Sequence, residues 1–166
     1  MILAVDVGNS NTTVGLFNGT GELLFRALLE TSRSKTRDQC AIELLGVFQL
    51  YGADACTVDG AILSSVVPPL TTIFTDAIAR LTGIPPMVVG PGIRTGLNIK
   101  AEIHNQLGSD IVASSVAAIA KYPSPIVMVD MGTATSLSLI VGSVYEGCII
   151  MPGLALALDA LSERAA

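Results

Sequence analysis

Residues 5–17 read VDVGNSNTTVGLF. Two apolar runs enclose an acid, a glycine and a knot of hydroxyl and amide side chains, where a plain hairpin needs only a two-residue turn. The excess has a chemical reading. A turn that meets a polyphosphate must aim backbone N–H groups at oxygen, and glycine is needed where a Cβ would block the approach. It must add hydroxyl or amide donors. It must also carry a carboxylate able to hold Mg²⁺ through water, because that ion keeps much of its hydration shell. Asp6, Val7, Gly8, Asn9, Ser10, Asn11, Thr12 and Thr13 supply this set in one hairpin.

The stretch has an internal echo. LAVDVGNSNTTVGLF at 3–17 sets against VMVDMGTATSLSLIV at 127–141, matching Asp6 to Asp130 and Gly8 to Gly132. Each copy is an apolar strand, Val-Asp-x-Gly, small polar residues and a second apolar strand. One such turn is easily structural; two sharing an acid and a glycine at one spacing point to a duplicated phosphate hairpin. Two such hairpins facing one another would clamp a phosphate chain from both sides. The echo divides the chain at 122/123, into a first domain over 1–122 and the opening of a second over 123–166. The second then stops after a meander and one helix, and the chain reads as a fragment or a shortened relative.

Working outward, Ile2–Val7, Thr13–Phe17 and Glu22–Leu29 are predicted strands, with Asn18-Gly19 and Gly21 as turn residues. Such short links predict an antiparallel meander. Thr36–Tyr51 is a predicted helix with Ile42, Leu45, Phe48 and Gln49 at helical spacing, and Gly52 ends it. Val58–Val67 is a strand stopped by Pro68-Pro69. Leu70–Leu81 repeats apolar residues as a helix, and Pro86–Val89 is a short strand. GPGIRTG at 90–96 is a loop. A helix over Ser109–Tyr122 buries Ile111, Val112, Ser115, Val116 and Ile119. Strands at Ile126–Met131, Leu137–Val141 and Val144–Met151 precede a helix at Leu154–Arg164. Meanders followed by strand–helix alternation predict an α/β fold, a mixed sheet flanked by helices.

Composition narrows the class. The chain is 51% apolar and 14% charged, with net charge −5 and no Trp. A sizeable core is affordable, and an apolar surface in need of a cover is the alternative use for so much grease. A basic stripe is missing, which argues against nucleic acid. No apolar run reaches the roughly 18 residues of a membrane span, and the start lacks a signal peptide's basic region. Cys40, Cys56 and Cys148 fit no zinc pattern and read as reduced, buried thiols of a cytoplasmic protein.

Gly108-Ser109-Asp110 precedes the third helical stripe. A carboxylate there favours the helix dipole by about 0.3–1 kcal/mol. The functional alternative makes Asp110 the group that accepts or orients an acceptor hydroxyl's proton. His104 and Arg94 read as loop residues, Arg94 with the option of meeting an anion.

DVGNSNTTVG, GPGIRTGLNI, LGSD, DMGTATS and YEGCIIMPGL stand in the order and spacing of type III pantothenate kinases, and the whole chain resembles that family. These kinases belong to the acetate and sugar kinase, Hsc70 and actin superfamily. The resemblance implies two ribonuclease-H-like domains, the second incomplete here. It implies transfer of the ATP γ-phosphate to the hydroxyl of pantothenate, the first step of coenzyme A synthesis. Mg²⁺, a monovalent cation (K⁺ or NH₄⁺) and a homodimer come with it. Carried over by position, Asp6–Thr13 is the ATP phosphate hairpin with Asp6 near Mg²⁺, and Asp110 is the base. Gly108, Ser109, Asp110 and Ile111 meet pantothenate, Asp130 holds the monovalent cation, and Thr133 touches ATP. The chain departs from the family at Ile111, where an Arg is usual, and at Ala101, where a Tyr is. It departs again at Ser136-Leu137-Ser138, which loses an acid, and at Gly147-Cys148, where two glycines are usual. A non-catalytic regulator like the Bvg accessory factor proteins, and a kinase for another small hydroxyl substrate, are the alternatives.

Overall fold

The computed structural model describes residues 1–90, 93–99 and 107–164. The chain divides into two compact units, Met1–Pro91 and Gly92–Ala166. His104 and Ala101 lie outside the described residues.

The first unit begins as the predicted meander, β1 (Ile2–Val7), β2 (Asn11–Phe17) and β3 (Leu23–Glu30). Asn18 makes the β2–β3 turn: its Oδ1 accepts from the Thr20 and Glu22 backbone N–H groups at 3.0 and 2.9 Å. Helix α1 (Arg37–Leu50), a 3₁₀ turn (Ala55–Thr57), β4 (Gly60–Ser65), α2 (Pro68–Thr82) and β5 (Met87–Val88) follow. The sheet order is β3-β2-β1-β4-β5, with β1, β4 and β5 parallel, so the sheet is mixed. Thr36 starts α1 with a capping box shared with Gln39, and Pro68 and Pro69 occupy the opening turn of α2, where their missing N–H groups cost nothing. The core joins Leu3, Val5 and Val7 of β1 to Cys40, Leu44, Val47 and Phe48 of α1 and Leu70, Phe74, Ala77 and Ile78 of α2.

The α1 stripe is out of phase with the sequence reading. Phe48 is buried as expected, but Ile42 is 68% exposed and Leu45 43%, while Cys40, Leu44 and Val47 face the core. Apolar residues lie all round this helix, so spacing alone admits two phases and packing decides between them.

The second unit holds β6 (Asn98–Ile99), α3 (Ser109–Lys121), β7 (Ile126–Met131), β8 (Ala134–Val141), β9 (Val144–Pro152) and α4 (Leu154–Arg164). Its sheet runs β6-β9-β8-β7, an antiparallel meander with β6 added in parallel. Two residues are too few to show a period, so β6 was invisible in the sequence. Helix α3 packs on the face carrying Ile126 and Ile140, with Ala118 and Tyr145 completing a small core and Ile111, Ile119 and Met128 around it. Of the stripe read for α3, Ser115 is fully buried while Ile111, Val112, Val116 and Ile119 are half-buried.

The repeat explains where the excess apolar surface lies. Leu3, Val5 and Val7 align with Val127, Val129 and Met131. The first three are buried beneath α1 and α2; the second three are 65%, 54% and 73% exposed. Helix α4, the positional counterpart of α1, buries none of its residues among those described. The cysteines also divide: Cys40 is buried, but Cys56 and Cys148 are exposed, so burial holds for only one of the three thiols. Among the described residues no helix is long and apolar enough to cross a membrane.

Candidate functional site

The two acid-and-glycine stretches fold as the same local device. In the first, Asp6 pairs across the ladder with Thr13 and Val7 with Thr12, and the Gly8 N–H donates to the Asn11 carbonyl at 2.9 Å. In the second, Asp130 pairs with Ser136 and Met131 with Thr135, and the Gly132 N–H donates to the Ala134 carbonyl at 3.0 Å. Each acid thus stands opposite a hydroxyl side chain, with a glycine closing the turn two residues on. A Cβ at Gly8 would come within 3.0 Å of the Asn11 oxygen, which is why glycine is required there.

Both turns are tighter than the sequence reading. Strand β2 begins at Asn11 and β8 at Ala134, so Asn11–Thr13 and Ala134–Ser136 belong to the ladders. Threonine is β-branched and fits a pleated surface, so tertiary pairing draws these residues out of the turn. Burial then sorts the hairpin's side chains. Val7 and Thr12 point inward, whereas Asp6, Asn9, Ser10 and Asn11 are exposed. The Thr12 hydroxyl is engaged with that of Thr31 at 2.8 Å. Of the set Asp6–Thr13, Val7 can therefore meet a ligand only through its backbone.

Asp110 sits in the first turn of α3, with Gly108 at its N-cap, and Asp110 Oδ1 accepts the Ile111 N–H at 2.8 Å. Only four residues link α3 to β7, and the helix lies back along that strand. From Lys121 to Asp110 is about 16 Å of helix. From Ile126 to Asp130 is about 13 Å of strand. Gly108, Ser109, Asp110 and Ile111 therefore stand at the end of the second unit that carries Asp130 and Thr133. The same end receives the start of α4, where the Gly153 N–H donates to the Thr133 carbonyl at 3.0 Å. Gly153 was missed as a supporting residue; the signal was its place in the MPGL motif, directly after β9.

The donors at both hairpins are hard oxygens. Among the described residues no three His, Cys, Asp or Glu cluster as a metal cage. A lone carboxylate beside hydroxyls suits an ion that reaches protein partly through water and phosphate. A groove of about 440 Å³ between α1 and α2 is lined by Asp38, Ala41, Ile42, Leu45, Arg80 and Leu81, and by none of the candidate residues.

Behind the second hairpin, the buried Tyr145 hydroxyl bonds Ser138, at 2.8 Å. Burial pushes the phenol up to about 12; the Ser138 bond draws it partly back and neighbouring Cys148 pushes it further up. In an unfolded chain the phenol titrates near 10. Below that pH both states are neutral and this group leaves stability unchanged. Between about 10 and 12 only the unfolded chain ionises, so stability falls as pH rises. Urea midpoints at pH 9 and 11 are expected to differ more for the wild type than for Tyr145→Phe, which lacks the titrating group.

The fold is shared with solved structures of low sequence identity. A protein of Sinorhizobium meliloti described as a 2-dehydro-3-deoxygalactonokinase superposes with a TM-score of 0.57 at 13% identity, over 100% of this chain and 57% of its own. A Campylobacter jejuni protein assigned to the Baf family of transcriptional activators gives 0.56 at 20% identity, over 97% and 59%. Sequence narrows the class further: the family model described as type III pantothenate kinase matches residues 2–166. Type III pantothenate kinases of Listeria monocytogenes (serotype 4a, strain HCC23) and Geobacillus sp. (strain WCH70) are 40% and 41% identical over 167 residues. Each alignment takes in 100% of this chain and 64% of the relative's length. The chain belongs to the type III pantothenate kinase family.

Proposed function

We propose that the protein carrying this chain is a pantothenate kinase that moves the ATP γ-phosphate to the hydroxyl of pantothenate. The observation that supports it most is the family match over residues 2–166. The four-residue link that lays α3 back along β7 is consistent with Asp110 working near the Asp130 hairpin.

Asp6–Thr13 holds the nucleotide's phosphates through the exposed backbone and side chains of Asn9, Ser10 and Asn11. Gly108–Ile111 seats pantothenate with its hydroxyl at Asp110. The Asp110 carboxylate takes the hydroxyl proton as that oxygen bonds to the γ-phosphorus, and the bond to the β–γ bridging oxygen breaks to release ADP. Asp6 would hold Mg²⁺ through water and Asp130 would hold K⁺ or NH₄⁺, with Thr133 touching ATP; bound there, these cations would supply neutralising charge to the phosphates. Ile111 in place of a guanidinium leaves pantothenate with one less charged partner, so a weaker hold on that substrate is part of this reading. In the proposed domain scheme residues 1–122 form the first ribonuclease-H-like domain and 123–166 open the second. Compactness cuts elsewhere, at 91/92, because α3 packs on β7. A cytoplasmic homodimer completes the proposal.

The test is ADP release by the natural protein with ATP, Mg²⁺ and pantothenate, in K⁺ and then in Na⁺. Release that needs pantothenate and rises with K⁺ is expected. Nucleotide binding without turnover would favour a regulatory relative, and turnover only with another alcohol would reassign the substrate.

A further inference from the structure

The loop between β3 and α1, residues 31–36, reads TSRSKT and was not singled out by its sequence. The structure ties it to the tip of the first hairpin three times. The Thr31 N–H donates to the Ser10 carbonyl at 3.0 Å, the Thr31 and Thr12 hydroxyls meet at 2.8 Å, and Arg33 Nη2 donates to Asn9 Oδ1 at 3.4 Å. The far end of the loop is pinned as well. Lys35 Nζ bonds the Glu30 carbonyl at 2.6 Å and the Glu43 carboxylate at 2.9 Å, and Thr36 caps α1. The two cations of the loop therefore differ in kind. Lys35 is spent on holding the loop, whereas exposed Arg33 forms no ion pair among the described residues.

We propose that Arg33 contacts the terminal phosphate of the nucleotide bound by Asp6–Thr13, an inference that rests on the phosphate assignment of that hairpin. Its bond to Asn9 is at the long edge of hydrogen bonding, so the guanidinium keeps its donors for a stronger acceptor. A planar fork with five N–H donors matches phosphate oxygens two at a time. Holding Asn9 by its Oδ1 also turns the Asn9 amide N–H groups away from Arg33, which leaves them to donate to the same ligand. A loop anchored at both ends presents this charge without the ordering cost of a free side chain on a mobile segment.

Calorimetric titration of the natural protein with ATP, ADP, AMP and inorganic tripolyphosphate tests the assignment, using wild type, Arg33→Gln and Arg33→Lys. Arg33→Gln is expected to weaken ATP and tripolyphosphate about tenfold, the scale of one charge-assisted contact. AMP should be unaffected, Arg33→Lys should fall between, and melting temperatures should not move. If wild type binds ATP and Arg33→Gln binds it equally well, the Arg33 proposal fails and the hairpin assignment survives. An equal loss for ATP and AMP would make Arg33 structural and overturn the proposal too. Wild type that binds no ATP removes the hairpin assignment itself, and Arg33 with it.

Discussion

Asp110→Asn is expected to lower pantothenate-dependent turnover by about 10²–10⁴-fold, the usual share of a positioned general base. Asparagine keeps the shape and the acceptor oxygen. The Ile111 N–H that donates to Asp110 Oδ1 at 2.8 Å can donate to an asparagine oxygen instead, so the first turn of α3 stays formed. Only the capacity to take a proton goes, together with a charge worth about 0.3–1 kcal/mol to the helix end. Stability and ATP affinity should therefore barely change while kcat collapses. A structural carboxylate predicts the reverse, a modest melting shift and near-normal turnover. Single-turnover ADP formation alongside a melting curve separates the two, and full turnover by Asp110→Asn would remove Asp110 as the base.

What the sequence disclosed follows from which signals are local. The meander after Ile2 and the Asn18 turn are dictated within a few residues and stand where expected, whereas Pro68 and Pro69, read as the stop of a strand, instead open α2. The repeated acid-and-glycine hairpin was legible because one spacing occurred twice. The phase of α1 was not legible: Ile42 and Leu45 have the right spacing on the wrong face, and only packing against α2 and the sheet selects Cys40, Leu44 and Val47. Hairpin tightness escaped for a similar reason, since Thr12 and Thr13 gain ladder partners that a linear reading does not supply. The supports of the site were the least visible. Thr31 meets Thr12 across 19 positions and Gly153 meets Thr133 across 20, contacts that depend on where β3 and β9 end. A polar loop such as TSRSKT looks like solvated chain until its three bonds to a hairpin tip are seen.

Gly153→Ala is expected to destabilise the second unit by about 3 kcal/mol or more, and to disturb the hairpin carrying Asp130 and Thr133. A Cβ on Gly153 would lie 2.2 Å from the Gly132 carbonyl oxygen and 2.5 Å from that of Thr133. Both are backbone atoms of the hairpin, so no flexible side chain can swing aside. Either the turn shifts or the start of α4 lifts away. Lifting breaks the Gly153–Thr133 hydrogen bond and loosens the first turn of α4, where the Ala157 N–H donates to the Gly153 carbonyl at 2.9 Å. Overpacking of this kind costs about 1–3 kcal/mol, sometimes more. The lost hydrogen bond adds about 1 kcal/mol. Little reserve opposes that loss, because among the described residues the buried apolar cluster here is Ala118, Ile126, Ile140 and Tyr145, against twenty in the first unit. Amide exchange read peptide by peptide should show protection lost over residues 126–152 and kept over 2–17. Gly19→Ala is the control, since a Cβ there meets nothing within 4 Å. Unchanged protection at 126–152 in Gly153→Ala would mean that the close seat of α4 against the hairpin does not exist in solution. If protection is lost as expected, turnover should fall with it, since a displaced turn moves Asp130 and Thr133 away from the end of the sheet where Asp110 stands.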